Sequence, residues 1–260
     1  MITTEQTGPA QSQPVRERII RVDATTIRFL EAGASHTGPP LLMLHGYRSS
    51  ANNWLPNPLS ALAAEHHVIA PDLPGLGRSG EMPSYGLPEY AVMLYAFLDA
   101  LAIGAVNLLG HSMGAQVAIA MAANRPHRIN KLVLVDSAGL PRLEPRWQLP
   151  FRRLTDSSLW SLRGYSSRSG RQPRPLGRRV SPKIVQRAHI GTYLKSLTMP
   201  TLIVWGSRDR VVPLEHGALL ARNIPHARLA IIRASGHMPF AQKPEEFNQL
   251  VLTFLRSLEC

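Results

Sequence analysis

An α/β fold, a mostly parallel eight-stranded sheet flanked by helices with a small cap inserted after the sixth strand, is what this sequence predicts. Three observations predict it. Short β-branched and leucine-rich runs alternate with longer helical patterns, the arrangement in which helices cover a buried parallel sheet. The chain of 260 residues, 44% of them hydrophobic, can fill one large core. One segment, residues 140–197, breaks the alternation with scattered Arg, Pro and Ser.

The elements follow in order. Residues 1–14 are polar, with no basic start followed by an apolar run, and read as a flexible tail rather than a signal peptide. Residues 18–22 and 26–31 form two strands across a tight turn, an antiparallel hairpin ahead of the parallel part. The short apolar runs 41–44, 68–70, 106–109, 131–135, 201–205 and 228–232 suit buried strands. Helices are predicted at 53–65, 88–101, 113–124, 213–223 and 244–258, several opening on Pro, where the missing N–H costs nothing. The core is then 15–139 and 198–260, and residues 140–197 are the cap.

Composition excludes several classes. The only cysteine is Cys260, so no internal disulfide can form and a reducing compartment is expected. The most apolar stretch, 91–123, is divided by Asp99, Asn107, His111 and Gln116, too often for a membrane span. A soluble, cytoplasmic protein is the expectation. The formal charge is +12, carried by four lysines and 25 arginines against 17 acidic residues.

The chemistry centres on Gly110-His111-Ser112-Met113-Gly114, a G-x-S-x-G pattern placed after an apolar strand and before an alanine-rich helix. A sharp strand-to-helix turn needs small residues on both flanks to lift the serine hydroxyl off the sheet edge. Ser112 is therefore the candidate nucleophile. A serine hydroxyl attacks only when a base takes its proton, and the base needs an acid to set its tautomer. His237, in Gly236-His237-Met238, follows the last strand at the same sheet edge and is the preferred base. Asp209 follows the seventh strand, keeps the order serine, acid, histidine, and is the preferred acid. Asp136, at the end of the sixth strand, faces the same edge and remains the alternative acid. Asp72 lies in a turn-rich loop and reads as a structural carboxylate bonded to loop amides.

His45-Gly46-Tyr47 follows the third strand, where a backbone donor for an oxyanion would stand. Two preorganised N–H groups, those of Tyr47 and Met113, are the expected donors, at about 3 kcal/mol of transition-state stabilisation each. Gly46 lets the backbone approach closely, and His45 braces the loop by hydrogen bonding. Gly46, His111, Met238 and Phe240 are the candidate pocket residues, beside Tyr47 and Met113; for Phe240 plain core packing is the equal alternative. Trp54 either packs beneath this loop or simply fills the core.

These residues resemble those of the α/β-hydrolase superfamily, over residues 15–258. The markers are the His45-Gly46 loop with Trp54, Asp72-Leu73-Pro74-Gly75-Leu76-Gly77-Arg78-Ser79, the glycine-flanked serine, Trp205-Gly206 leading to Asp209, and Gly236-His237. The resemblance implies an antiparallel second strand, a helical cap, and a Ser112, His237, Asp209 triad that needs neither cofactor nor metal. Serine at the nucleophile position argues against the dehalogenase and epoxide hydrolase branches, which use aspartate there. Tyr47-Arg48-Ser49 and Met238 depart from the glycine-rich loop and tryptophan of meta-cleavage-product hydrolases. Asp136-Ser137-Ala138-Gly139-Leu140 looks faintly like that branch.

Residues 141–190 hold twelve cations, among them Arg171, Arg174, Arg178 and Arg179, against Glu144 and Asp156, a net of +10. Such a field suits an anionic acyl substrate or an acidic carrier, while a merely solvated loop is the plainer reading. Aromatic residues are sparse there and no nucleic-acid motif is present, so nucleic acid is not an expected partner. The leading expectation is a serine hydrolase of a small or medium carboxylic ester. The alternatives are a carbon–carbon bond hydrolase and a non-catalytic binding protein on the same fold.

Overall fold

A computed structural model describes residues 14–55, 57–140, 180 and 190–257. Most of the predicted cap, with all of its arginines, and residues 1–13 of the predicted tail lie outside the described residues. Eight strands form one sheet in the order β1-β2-β4-β3-β5-β6-β7-β8. They are β1 (Arg16–Val22), β2 (Thr25–Ala32), β3 (Leu41–Leu44), β4 (Val68–Pro71), β5 (Val106–His111), β6 (Ile129–Val135), β7 (Thr201–Gly206) and β8 (Ala227–Ile232). β2 runs antiparallel to both β1 and β4, and the pairs from β4 through β8 are parallel.

The central strands are buried along their whole length, which explains their unbroken apolar runs. Their period of two divides the core into two layers. Leu42, Leu44, Leu108, Leu132, Leu134, Ile203 and Trp205 face one layer, shared with α2 (Leu87–Ala100), α3 (Met113–Asn124) and α4 (Leu214–Asn223). Leu41, Met43, Leu109, Val133, Val135 and Val204 face the other, under α1 (Pro58–Leu62), α5 (Pro239–Gln242) and α6 (Pro244–Arg256). A fully buried leucine contributes about 2 kcal/mol, so a polar residue at Leu132 or Val133 would remove that term and add a desolvation cost.

One predicted helix is not continuous. In place of 53–65 the chain makes a single 3₁₀ turn, Ala51–Trp54, and then the short α1. Pro58 accounts for the break. It pushes its predecessor out of the α region, and Asn57 sits at φ −158°. The Pro58 ring would also clash with the carbonyl four residues back in an unbroken helix.

The parallel strands point their C-terminal ends to one edge of the sheet. Loops leaving β3, β5, β6, β7 and β8 therefore converge there, and with them His45, Ser112, Asp136, Asp209 and His237.

Candidate active site

Ser112 sits between β5 and α3 at φ 53° and ψ −113°. For a residue with a side chain this conformation is strained by about 1–3 kcal/mol and persists only when its surroundings enforce it. The flanking glycines show how. A Cβ on Gly110 would lie 2.4 Å from the Gly114 carbonyl oxygen, and one on Gly114 would lie 2.3 Å from that of Leu44. The turn closes only without those carbons. Ser112 N–H donates to the Val135 carbonyl (2.9 Å), tying the turn to the end of β6.

Asp209 and His237 meet at this edge. His237 Nδ1 lies 2.7 Å from Asp209 Oδ2. Asp209 Oδ1 accepts the amides of Val211 (2.7 Å) and Val212 (3.1 Å), and its side chain is fully buried. A carboxylate held by backbone donors accepts the Nδ1 proton, which leaves Nε2 as the basic nitrogen.

Asp136 does not occupy that place. It is fully buried, and its Oδ1 accepts the Gly206 amide across from β7 (2.9 Å). Burial and the adjacent Asp209 carboxylate push its pKa well above the usual aspartate range.

His111, proposed from sequence as a pocket residue, is 3% exposed. A carbonyl can only accept, so the 2.7 Å contact between His111 Nε2 and the His237 oxygen makes Nε2 the protonated nitrogen. Its ring stands 4.8 Å from that of His237, 5.0 Å from Phe240 and 6.4 Å from Trp54. Burial, with His237 nearby, holds its pKa well below the usual histidine range. Phe240 is fully buried, its ring 4.6 Å from Trp54 and 5.9 Å from Phe247. Phe240 and Trp54 thus belong to the packed wall behind the site. Met238, half-buried, is the more accessible of the predicted pocket side chains there.

A Cβ on Gly46 would come within 3.0 Å of His111 Nδ1 and 3.4 Å of Ser112 Cβ. The β3 loop thereby passes directly beside the serine. Tyr47 follows, its hydroxyl donating to the Val180 carbonyl (3.0 Å) and its pKa raised by burial. Met113 opens α3, so its N–H has no carbonyl four residues back to bind; its side chain is buried in the core.

The β3 loop is held from beneath. His45 Nε2 accepts the Leu73 amide (2.9 Å), so Nδ1 carries the proton and donates to the Gly46 carbonyl (2.8 Å). Asp72 accepts the amides of Ala51 and Arg78 (both 2.7 Å) and the Arg28 guanidinium (3.2 Å). Arg28, 2% exposed, also binds Glu17 and Asn52. Sequence reasoning missed Arg28, because a cation on a strand gives no signal of what it will meet.

His111, Asp136 and His237 bring ligand-type atoms within 4.8 Å of one another. One ring nitrogen of each histidine is engaged, that of His111 by the His237 carbonyl and that of His237 by Asp209. No helix among the described residues is long and apolar enough to cross a membrane.

With this geometry established, the comparisons with known proteins agree on the family. The family model described as "Alpha/beta hydrolase family" matches residues 41–250. The chain is 30% identical to the dihydrolipoyllysine-residue acetyltransferase component of the acetoin cleaving system of Pseudomonas putida, over 96% of this chain and 72% of that protein. It is also 30% identical to a 2-hydroxy-6-oxononadienedioate/2-hydroxy-6-oxononatrienedioate hydrolase of Burkholderia vietnamiensis, over 90% and 93% respectively. Among solved structures, serine hydrolase CCSP0084 from Cycloclasticus zankles shares the fold, with a TM-score of 0.80, 23% identity, and 93% and 98% of the two chains covered. The chain belongs to the alpha/beta hydrolase family.

Proposed function

We propose that this protein is a serine hydrolase in which Ser112 attacks an acyl carbonyl, His237 moves the proton and Asp209 orients His237. The observation that carries the reading is the 2.7 Å contact of His237 Nδ1 with a buried Asp209, at the edge where Ser112 is held in its strained turn. His237 Nε2 takes the hydroxyl proton as the Ser112 oxygen bonds to the carbonyl carbon. The resulting oxyanion is met by the amides of Tyr47 and Met113. Collapse expels an alkoxide, which takes the proton from His237, and water attacks the acyl-enzyme with His237 again as base. Asp209 stays ionised throughout. The leading substrate class is a small or medium carboxylic ester, and the route uses side chains and backbone amides alone.

A second reading is favoured by the name of the Burkholderia vietnamiensis relative, which acts on a dienedioate. In a carbon–carbon bond hydrolysis the same oxyanion would collapse by releasing a carbon leaving group as an enolate, protonated from His237. Such a substrate carries carboxylates, and the basic residues 141–190 would suit it.

Labelling with a fluorophosphonate probe tests the shared step. Labelling of the wild type that is lost in Ser112→Ala supports it; a folded wild type that resists the probe points to a non-catalytic protein on this fold. Turnover of p-nitrophenyl esters of graded length, set beside a vinylogous dioxo acid, then separates ester from carbon–carbon cleavage.

A further inference from the structure

Two buried carboxyl groups meet behind His237, and the proposed chemistry uses only one. Asp136 and Asp209 reach the same place from successive loops. Asp136 N–H donates to the Val204 carbonyl and Asp209 N–H to that of Gly206, so both backbones are fixed on the end of β7. Neither side chain can withdraw to water, because both are fully buried.

Their hydrogen bonds are unequal. Among the described residues Asp209 is met by three donors, the amides of Val211 and Val212 and the His237 imidazole. Asp136 is met by one, the Gly206 amide on Oδ1. Its Oδ2 is buried, and no N–H or O–H of the described residues reaches it. The Asp209 carboxyl, another acceptor, is close by: an Asp136 carboxyl oxygen lies within 4.8 Å of a His237 ring nitrogen, and His237 Nδ1 lies 2.7 Å from Asp209 Oδ2. Two ionised carboxylates this close repel, and burial removes the water that would screen them. One shared proton turns the repulsion into a hydrogen bond. The proton belongs on the carboxyl with fewer donors, because donors stabilise the anion.

We propose that Asp136 is the neutral, proton-bearing partner of Asp209, donating from Oδ2 to the carboxylate that orients His237. Asp136 is then a positioning residue. It touches no reacting atom; it holds the Asp209 carboxylate in place and draws off part of its negative charge. The other titratable groups around the pair are His237 and His111, both within 4.8 Å of Asp136, and His216 of α4, which feels the Asp209 charge. The inference rests on the proposed roles of Asp209 and His237, and the test has one arm that needs no activity.

The first arm is the pH profile of kcat/KM on a neutral p-nitrophenyl ester, whose acid limb reports protonation of the base in the free enzyme. Asparagine at position 136 copies a neutral carboxyl that accepts at one atom and donates at the other. Asp136→Asn is therefore expected to keep the wild-type acid limb. Asp136→Ala removes the donor, leaves Asp209 more negative toward His237, and moves the limb to higher pH. If Asp136 is instead ionised, both variants delete a negative charge close to His237 and the limb moves to lower pH, by about one unit or more. That result overturns the proposal.

The second arm is thermal stability against pH. A carboxyl that is protonated in the fold and ionised in the unfolded chain loses stability as pH rises above about 4, where an unfolded aspartate titrates. Asp136→Asn lacks that loss. Its Tm should therefore gain on the wild type steadily from acid to neutral pH, and a Tm difference that is flat or falls with rising pH overturns the proposal. If Ser112→Ala leaves turnover intact, the hydrolase reading has failed while this arm still decides where the proton lies.

Discussion

His111 Nε2 donates to the carbonyl oxygen of His237 at 2.7 Å, joining positions 126 residues apart. The residue before the proposed nucleophile thus holds the backbone of the proposed base, and the two loops cannot separate without breaking a partly buried hydrogen bond. An unpaired buried carbonyl costs about 1–3 kcal/mol. The pair explains why the orientation of His111 is set, while burial keeps its imidazole neutral.

From this pair comes the first prediction. His111→Phe keeps a ring against Phe240 and Trp54 but removes the donor, and kcat should fall by about tenfold or more as His237 loses its fixed position. Steady-state kinetics on a p-nitrophenyl ester checks it, with circular dichroism to show an intact fold. Stability carries a linked sign. His45 and His111 both have depressed pKa values in the fold because burial disfavours their charged forms. The unfolded chain binds more protons below about 6.5, so wild-type stability should fall as pH drops through that value. His111→Phe should show a shallower fall.

Backbone strain at Ser112 predicts an opposition of stability and activity. Glycine adopts φ 53° without penalty, so Ser112→Gly should raise stability by about 1 kcal/mol while abolishing turnover. Ser112→Ala should abolish turnover without that gain. Thermal melts of the two variants beside the wild type decide this, and equal Tm values would show that the turn stores no strain.

The acid assignment is tested by matched substitutions. Asp209→Asn should lower kcat by about 10⁴-fold with the fold intact, because an amide at the Nδ1 contact favours the wrong imidazole tautomer. Asp136→Asn should cost far less. A larger loss from Asp136→Asn would reverse the assignment.

The arginine-rich segment predicts a salt effect. An anionic acyl ester should outpace its neutral analogue in kcat/KM more than in kcat, and added salt should shrink the preference, because screening acts over about 8 Å at physiological ionic strength. Neutral replacement of Arg171, Arg174, Arg178 and Arg179 should mimic salt and spare a short neutral ester. A preference that survives both treatments would place its origin elsewhere.

The sequence by itself determined what depends on neighbours along the chain. Strand positions followed from short apolar runs, helix starts from prolines such as Pro88 and Pro244, and the turn at Ser112 from glycines two residues to either side. These signals are legible because periodicity, φ restriction and the missing Cβ act over a few residues. Even locally two rules compete, since Pro58 interrupts the helix expected over residues 53–65. Only the tertiary structure decided which groups meet across the sheet edge. Asp209 rather than Asp136 lies on His237, the Gly206 amide binds Asp136 from 70 residues away, and His111 turns inward to a carbonyl instead of lining an open pocket. Arg28 likewise finds Asp72 44 residues further on. The physical reason is that both aspartates end neighbouring parallel strands at one edge. Chain order admits either of them, and the twist of the sheet, the register of β6 on β7 and the amides each loop presents choose between them.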